Sequence, residues 1–400
     1  MSSVAELVAR IEEISCAIDR QKRVLADLET SRSNVRRDLN ALCDPIARLP
    51  LEISSNIFMK CLPKISLPLL SSPPLLFLSV CHGWSDIAVS TAFLWSSLRV
   101  ESSLKQGFLE TWLARARSLP LDLSLSQDLD DSTREVIKQY AHQVQFLQLA
   151  VHFPDELGIR FPSLERLTVL VVSGGFDEVY LDACMETLRH APLLVQCELV
   201  NISVAEPHRI VPECLTLPYL RHLRLGEQRS DGSVKYSTTS VILRRLTLPA
   251  LESLSISELD IPADDLTSFF VRSSPPLQSL YIATTEDHPP GMDFLYFIPG
   301  LTDFTMHFRH YTSRNMPGLE TIASGRGLAQ LRHFAILGWS LSTTDQKSML
   351  DALSSRHTLD SDQLESFRLI LPGGLLTEDL VRKWQGLARD RGLDIYVGTS

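Results

Sequence analysis

Between residues 144 and 369 one short pattern returns nine times: apolar-x-x-apolar-x-apolar. It reads VQFLQL from Val144, LERLTV from Leu164, LVQCEL from Leu194, LRHLRL from Leu220 and LESLSI from Leu251. It continues as LQSLYI from Leu277, LTDFTM from Leu301, LRHFAI from Leu331 and LESFRL from Leu364. Successive starts lie 20, 30, 26, 31, 26, 24, 30 and 33 residues apart. Residues two apart in a strand point to the same side, so the last two apolar positions enter a core together. The apolar residue three earlier turns the chain inward. In several cases a Pro stands one or two residues ahead of it, as in FPSL, LPYL, LPAL, SPPL and IPGL. A unit this short cannot bury its apolar face alone, and stacking on its neighbours does so. The expectation is an α/β architecture with a parallel sheet. Segments such as YLDACMETLRHAP and ADDLTSFFVRSSP supply short amphipathic helices behind it. The alternative is another α/β fold whose strands share this spacing by chance.

The pattern is similar to the leucine-rich repeat in irregular form. That resemblance implies a solenoid over residues 101–400. In such a stack the residues between the buried ones face outward. They include His222, Arg224, Ser253, Ser255, Ser279, Tyr281, Asp303, Thr305, His307, His333, Ser366 and Arg368. The row is polar, mixed in charge and poor in large apolar groups. One reading is an ordinary solvated face. The other is a surface for a target protein, with Arg224, Tyr281, His307 and Arg368 as candidate contacts, since Arg and Tyr are enriched in binding hot spots.

Residues 1–44 carry a different period. With heptad position a at 4, 11, 18, 25, 32 and 39 and position d at 7, 14, 21, 28, 35 and 42, ten of twelve residues are aliphatic. Gln21 and Arg32 are the exceptions, and no Pro or Gly interrupts the run. A 3.5-residue period held this long fits a supercoiled helix with a partner strand. The open alternative is one amphipathic helix folded back on its own body. A homodimer through this helix is one expectation.

Residues 45–100 form a small helical module. Asp44 suits an N-cap and Pro45 a first helical position; Pro50 repeats the device, followed by Glu52 in the first turn. Ile53, Ile57, Phe58, Cys61 and Leu62 then fall on one broad helical face, and Pro63 ends it. Val80, Trp84, Ile87 and Ala88 have the spacing of a further helix, followed by Phe93, Leu94 and Trp95. A module of about 55 residues is small for an independent core. LPLEISSNIFMKCL followed by FLSVCHGWSDIAVSTAFLWSSLRV resembles the F-box, in the form abundant in mushroom-forming fungi. The pieces are Leu49-Pro50, Glu52-Ile53, Ile57-Phe58, Val80-Cys81-x-x-Trp84 and Leu94-Trp95. The loop from Lys64 to Pro74 is longer and richer in Pro than the family pattern, and Gly83 stands where a basic residue is commoner. The resemblance implies docking on the Skp-type adaptor of a cullin-RING (SCF-type) ubiquitin ligase through Leu49, Pro50, Ile53, Ile57 and Phe58. The remaining chain would then select a target protein. The runner-up is a non-catalytic scaffold with a degenerate F-box.

Composition narrows the classes further. The net charge of −10 argues against general nucleic-acid binding, which needs a basic stripe for phosphates. Seven cysteines, at 16, 43, 61, 81, 184, 197 and 214, show no CxxC spacing. They read as reduced and mostly core, in a cytoplasmic or nuclear protein. Glu6 and Arg10 stand where a signal peptide would be apolar. The uncharged stretch from Ile65 to Ser85 holds Pro68, Pro73 and Pro74, which break it as a membrane helix. No nucleotide-binding glycine motif and no hydrolase or zinc-protease motif occurs. SGGFDE from Ser173 and SGRGLAQ from Ser324 lack the spacing of a phosphate cradle. His307-x-x-His310 reads as an exposed histidine rather than a metal pair. No catalytic residue, cofactor or metal is expected, and no enzyme.

Overall fold

The Pro ahead of an apolar segment sits in a reverse turn. In the computed structural model the N–H of Leu164 donates to the carbonyl of Phe161 at 3.2 Å, across Pro162. The same three-residue step closes at Leu194 on Ala191, Leu220 on Leu217, Leu251 on Leu248 and Leu301 on Ile298. Each has Pro second in the turn, where its fixed φ is already correct. Leu331 closes on Leu328 in the same way without Pro. The residue that opens each turn is itself buried. The sequence unit therefore begins one apolar residue earlier than the six-residue pattern.

The structure describes residues 4–126, 129–151, 158–171, 181–200, 202, 214–226, 238–257, 261–284, 292–308, 328–338, 347, 350, 351, 353, 364–371, 378–392 and 394–399. The strands in chain order are β1 (Ser97–Val100), β2 (Leu121–Leu125), β3 (Val144–Val151), β4 (Arg166–Val171), β5 (Gln196–Val200), β6 (Leu215–Thr216), β7 (His222–Gly226), β8 (Leu246–Thr247), β9 (Ser253–Ser257), β10 (Ser279–Thr284), β11 (Asp303–Phe308), β12 (His333–Leu337), β13 (Ser366–Leu371) and β14 (Asp394–Thr399). Twelve of them form one sheet in the order β1-β2-β3-β4-β5-β7-β9-β10-β11-β12-β13-β14, and β6 pairs with β8. From β3 to β14 every neighbouring pair is parallel. The helices are α1 (Val4–Cys43), α2 (Leu51–Lys60), α3 (Phe77–Val80), α4 (His82–Ser90), α5 (Gln106–Ala116), α6 (Asp131–Tyr140), α7 (Leu181–Arg189), α8 (Thr238–Arg245), α9 (Ala263–Ser273) and α10 (Glu378–Arg391). The fold is thus mixed α/β with a long N-terminal helix and a large parallel sheet, as the sequence implies. Contacts divide the chain into two units, residues 1–100 with 104–123 and residues 101–103 with 124–400.

In the second unit the nine segments align in phase. Leu167 pairs with Cys197, Cys197 with Leu223, Leu223 with Leu254, Leu254 with Leu280 and Leu280 with Phe304. Phe304 then pairs with Phe334 and Phe334 with Phe367. All three apolar positions of all nine segments are buried. Because equivalent residues lie one strand apart, their rings form a row. Phe304 and Phe334 are 5.7 Å apart, Phe334 and Phe367 5.5 Å, and Trp384 of α10 caps the row 5.3 Å from Phe367. The backbone repeats as well. At several strands the carbonyl just before the strand accepts two consecutive N–H groups of the next segment: Arg221 from Glu252 and Ser253, Glu252 from Gln278 and Ser279, Gln278 from Thr302 and Asp303. On the helix side, Arg244 Nε and Nη2 donate to Asp265 Oδ1 and Oδ2 at 2.8 and 2.9 Å, joining α8 to α9.

Three expectations are corrected here. The cysteines are all free thiols, but only Cys81, Cys184 and Cys197 are buried; Cys16 and Cys43 lie exposed on α1, and Cys61 and Cys214 are exposed too. Asp44-Pro45 starts a single 3-10 turn, Ile46–Arg48, and not the helix; α2 begins after Pro50, whose ψ of 144° keeps it extended. Val80, Trp84, Ile87 and Ala88 do not share a helix. Cys81 is extended, with φ −157°, and separates α3 from α4. Burial pushes the Cys184 thiol up to about 12 and Cys197 higher still, so both stay protonated core groups. The glycine stretch from Ser173, most of that from Ser324, and His310 lie outside the described residues.

Candidate functional site

Two surfaces carry the residues singled out from the sequence. The first is the turn and helix from Asp44 to Lys60. Asp44 Oδ1 accepts the N–H of Ile46 at 2.8 Å, which fixes the 3-10 turn. Cys81 Sγ reaches Asp44 Oδ2 at 3.9 Å and also accepts the N–H of Trp84 at 3.5 Å, capping α4. The buried Ser54 Oγ donates to the Ile46 carbonyl at 3.0 Å and ties the turn to α2. Leu49 and Pro50 are thereby held at the head of the helix, with both side chains exposed.

On α2 the apolar residues separate into two stripes. Phe58 is 1% exposed. Its ring stacks on Phe77 at 4.2 Å and lies 4.9 Å from Trp84, and Phe77 and Trp84 are 5.8 Å apart. These three rings form an aromatic cluster in the core of the module, beside the buried Ala88, Leu94 and Trp95. Ile53 and Ile57, one turn apart, turn away from this cluster, and Ile53 is 49% exposed. The sequence grouping of Phe58 with Ile53 and Ile57 on one docking face is therefore corrected. A step of 100° per residue puts Ser54 and Phe58 together on the inner stripe and Ile53 and Ile57 on the adjacent one. Phe58 supports the surface from beneath. Leu49, Pro50, Ile53 and Ile57 form its exposed part, and Leu51, unmarked in the sequence, is exposed beside them.

Other contacts inside the first unit do not involve those residues. Trp95 Nε1 donates to the Ala88 carbonyl at 2.8 Å, and Trp112 Nε1 to the Trp95 carbonyl at 3.0 Å, with the two rings edge to face at 4.9 Å. Arg115 lies over the Trp95 ring at 4.4 Å, and burial lowers its guanidinium pKa. Ser55 and Thr91 share a hydroxyl hydrogen bond of 2.8 Å that fastens α2 to the end of α4. The Pro-rich loop is also tied down: the N–H of Arg99 donates to the Ser66 carbonyl at 2.8 Å, beside β1.

The second surface is the outward face of the sheet. Arg224 of β7 pairs with Glu198 of β5 at 3.0 Å. Tyr281 Oη and His307 Nδ1 are hydrogen-bonded at 2.9 Å across β10 and β11. Arg368 of β13 lies 5.3 Å over the ring of Tyr396 on β14, which is itself exposed. His333 Nδ1 and Ser366 Oγ meet at 2.8 Å. His307 is thus half-buried and bonded, not a lone exposed histidine. The four residues occupy one face but not one cluster. Five strand steps separate Arg224 from Arg368, about 24 Å at the usual strand spacing. Tyr396 is the residue that the sequence reading missed; it follows the Arg224, Tyr281 and Arg368 row in register.

Among the described residues, no group of three or more His, Cys, Asp or Glu side chains could hold a metal ion, and no helix is long and apolar enough to cross a membrane. No family model matches the chain, and no curated protein matches it.

Proposed function

We propose that the chain is a substrate-receptor subunit of an SCF-type ubiquitin ligase. The turn and helix from Leu49 to Ile57 dock a Skp-type adaptor, and the second unit, read as an irregular leucine-rich-repeat solenoid, binds the target protein. One observation carries this reading. The module has its own core, with Phe58, Phe77, Leu94 and Trp95 buried, yet Leu49, Leu51, Ile53 and Ile57 remain exposed next to it. Exposed aliphatic groups grouped on a short helix mark a protein interaction surface. The order and spacing of the motif pieces named above point to the adaptor as its occupant. The in-phase burial of the nine segments supports the repeat reading, and the polar row through Arg224, Tyr281 and Arg368 supports a target surface beyond it.

Titration of the full chain into a purified Skp-type adaptor by calorimetry tests the reading. Stoichiometric binding, lost in Ile53→Asp with an unchanged unfolding transition, is expected. Ile53 is exposed, so this change leaves the core intact. No heat of binding from the unmutated chain at tens of micromolar would sink the ligase role and leave the scaffold.

A further inference from the structure

The long helix α1 spans about 60 Å at 1.5 Å per residue. Its described contacts with the rest of the first unit lie at its C-terminal end, where His82 Nε2 approaches Asp38 at 4.0 Å. The heptad stripe is left uncovered: every described aliphatic residue at an a or d position from Val4 to Leu39 is exposed, and the least exposed, Ile18, still shows 46%. Folding back on its own body is therefore not how this stripe is buried. Aliphatic groups spaced at 3.5 residues along five heptads call for a second helix of matching period.

We propose that the occupant is a second copy of the chain, paired through α1 in antiparallel orientation. The pattern matches itself end to end. When a positions face d positions of the partner, Ile18 meets the partner's Leu28, Ile11 the partner's Val35 and Leu39 the partner's Leu7. The two polar core positions decide the direction. In a parallel, in-register pair Arg32 would face the partner's Arg32, two like charges in one core layer, and Gln21 would face Gln21. In the antiparallel pair Arg32 lays its aliphatic stem on the partner's Ile14, with its charge free to reach water. Gln21 lies against the partner's Leu25.

The flanks favour the same direction. Arg10 and Asp38 are both g positions, at opposite ends of the helix. Antiparallel packing brings Arg10 beside the partner's Asp38, with an axial offset of about 3 Å, and symmetry makes the pair twice. Parallel packing makes neither. On the other flank Lys22 comes near the partner's Lys22, but Lys22 is already paired with Asp19 of its own helix at 3.4 Å. The inference goes beyond the adaptor reading and does not depend on it.

The test is light scattering and sedimentation on the full chain. A mass of twice 44.8 kDa is expected at micromolar concentration. Ile18→Asp with Leu28→Asp gives a monomer with an unchanged unfolding transition, because both residues are exposed in the single chain. Arg10→Asp alone and Asp38→Arg alone each weaken the dimer by roughly tenfold, two surface ion pairs being replaced by like charges. The double variant R10D/D38R recovers the parent affinity. Asp38→Arg also loses the His82 contact, but the double variant shares that loss, so recovery of the double relative to the Asp38→Arg single reports only the new pairs. A monomeric parent, a trimer, or a double variant as weak as the singles would overturn the proposal.

Discussion

The two units use their apolar residues in opposite ways. In the second unit each apolar position of the nine segments is buried by the segment beside it, and the outward face is polar. In the first unit the aromatic trio lies in a small core while two aliphatic stripes, one on α1 and one on α2, stay exposed. Both are strongly patterned in sequence. The difference is whether the pattern closes on itself. A stack of strands supplies its own neighbours, whereas a lone heptad helix and a module of about 55 residues do not. A periodic apolar pattern therefore states that a surface will be covered, and the topology decides by whom.

The stacked row of the second unit is the most sensitive part of the molecule. Phe304→Ala removes a ring from the stacked row and should destabilise the second unit by about 3–5 kcal/mol, read from urea unfolding. Ile53→Ala in the exposed stripe should stay within about 0.5 kcal/mol of the parent. Equal losses from the two would mean that the exposed stripe is core after all. Next, Leu49→Ala with Pro50→Ala should weaken adaptor binding by about 2–4 kcal/mol, as truncated interface anchors do, measured by calorimetry. A smaller loss is expected from Asp265→Ala, which strips the bidentate partner from Arg244. With the carboxylate largely buried and the guanidinium half exposed, about 1–3 kcal/mol is expected.

The nine segments were legible because burial on one strand face leaves a local, period-two trace. The other strands left weaker traces. In β14, Ile395 and Val397 keep the alternation, but Gly392 stands where Leu364 stands in β13. There the chain has φ +68° and ends α10, a conformation that suits glycine and forbids an apolar anchor. The break at Cys81 was hidden because the residues around it keep helical spacing. The inward turn of Phe58 was hidden for a related reason: neighbouring positions on a helix differ by 100°, and composition alone cannot say which stripe is inner. The Tyr281–His307 pair joins residues 26 apart on two strands, and the Arg368–Tyr396 contact joins residues 28 apart, so only the register reveals them.

Arg224→Ala, Tyr281→Ala and Arg368→Ala together should leave adaptor binding unchanged and keep stability within about 0.5 kcal/mol per site, while abolishing target capture in proximity labelling. An unchanged set of captured proteins would move recognition off this face. The smallest effect concerns Asp130, which caps α6 by accepting the N–H of Thr133 at 2.6 Å. That backbone bond, helped by hydroxyl bonds from Thr133 and Ser132, holds its pKa below the ordinary 3.8. The cap is therefore fully present above that value and is lost as pH falls through the depressed one. Asp130→Asn should keep the cap but flatten this acid-side dependence of α6, followed by amide exchange below pH 4.

Amide hydrogen exchange on the full chain, with and without a purified Skp-type adaptor, addresses the contrast between the units most directly. Slowed exchange is expected only at residues 49–60 and their contacts in the module, with β3 to β14 unchanged. Unaltered exchange at residues 49–60, or protection appearing instead on the strands of the second unit, would contradict it.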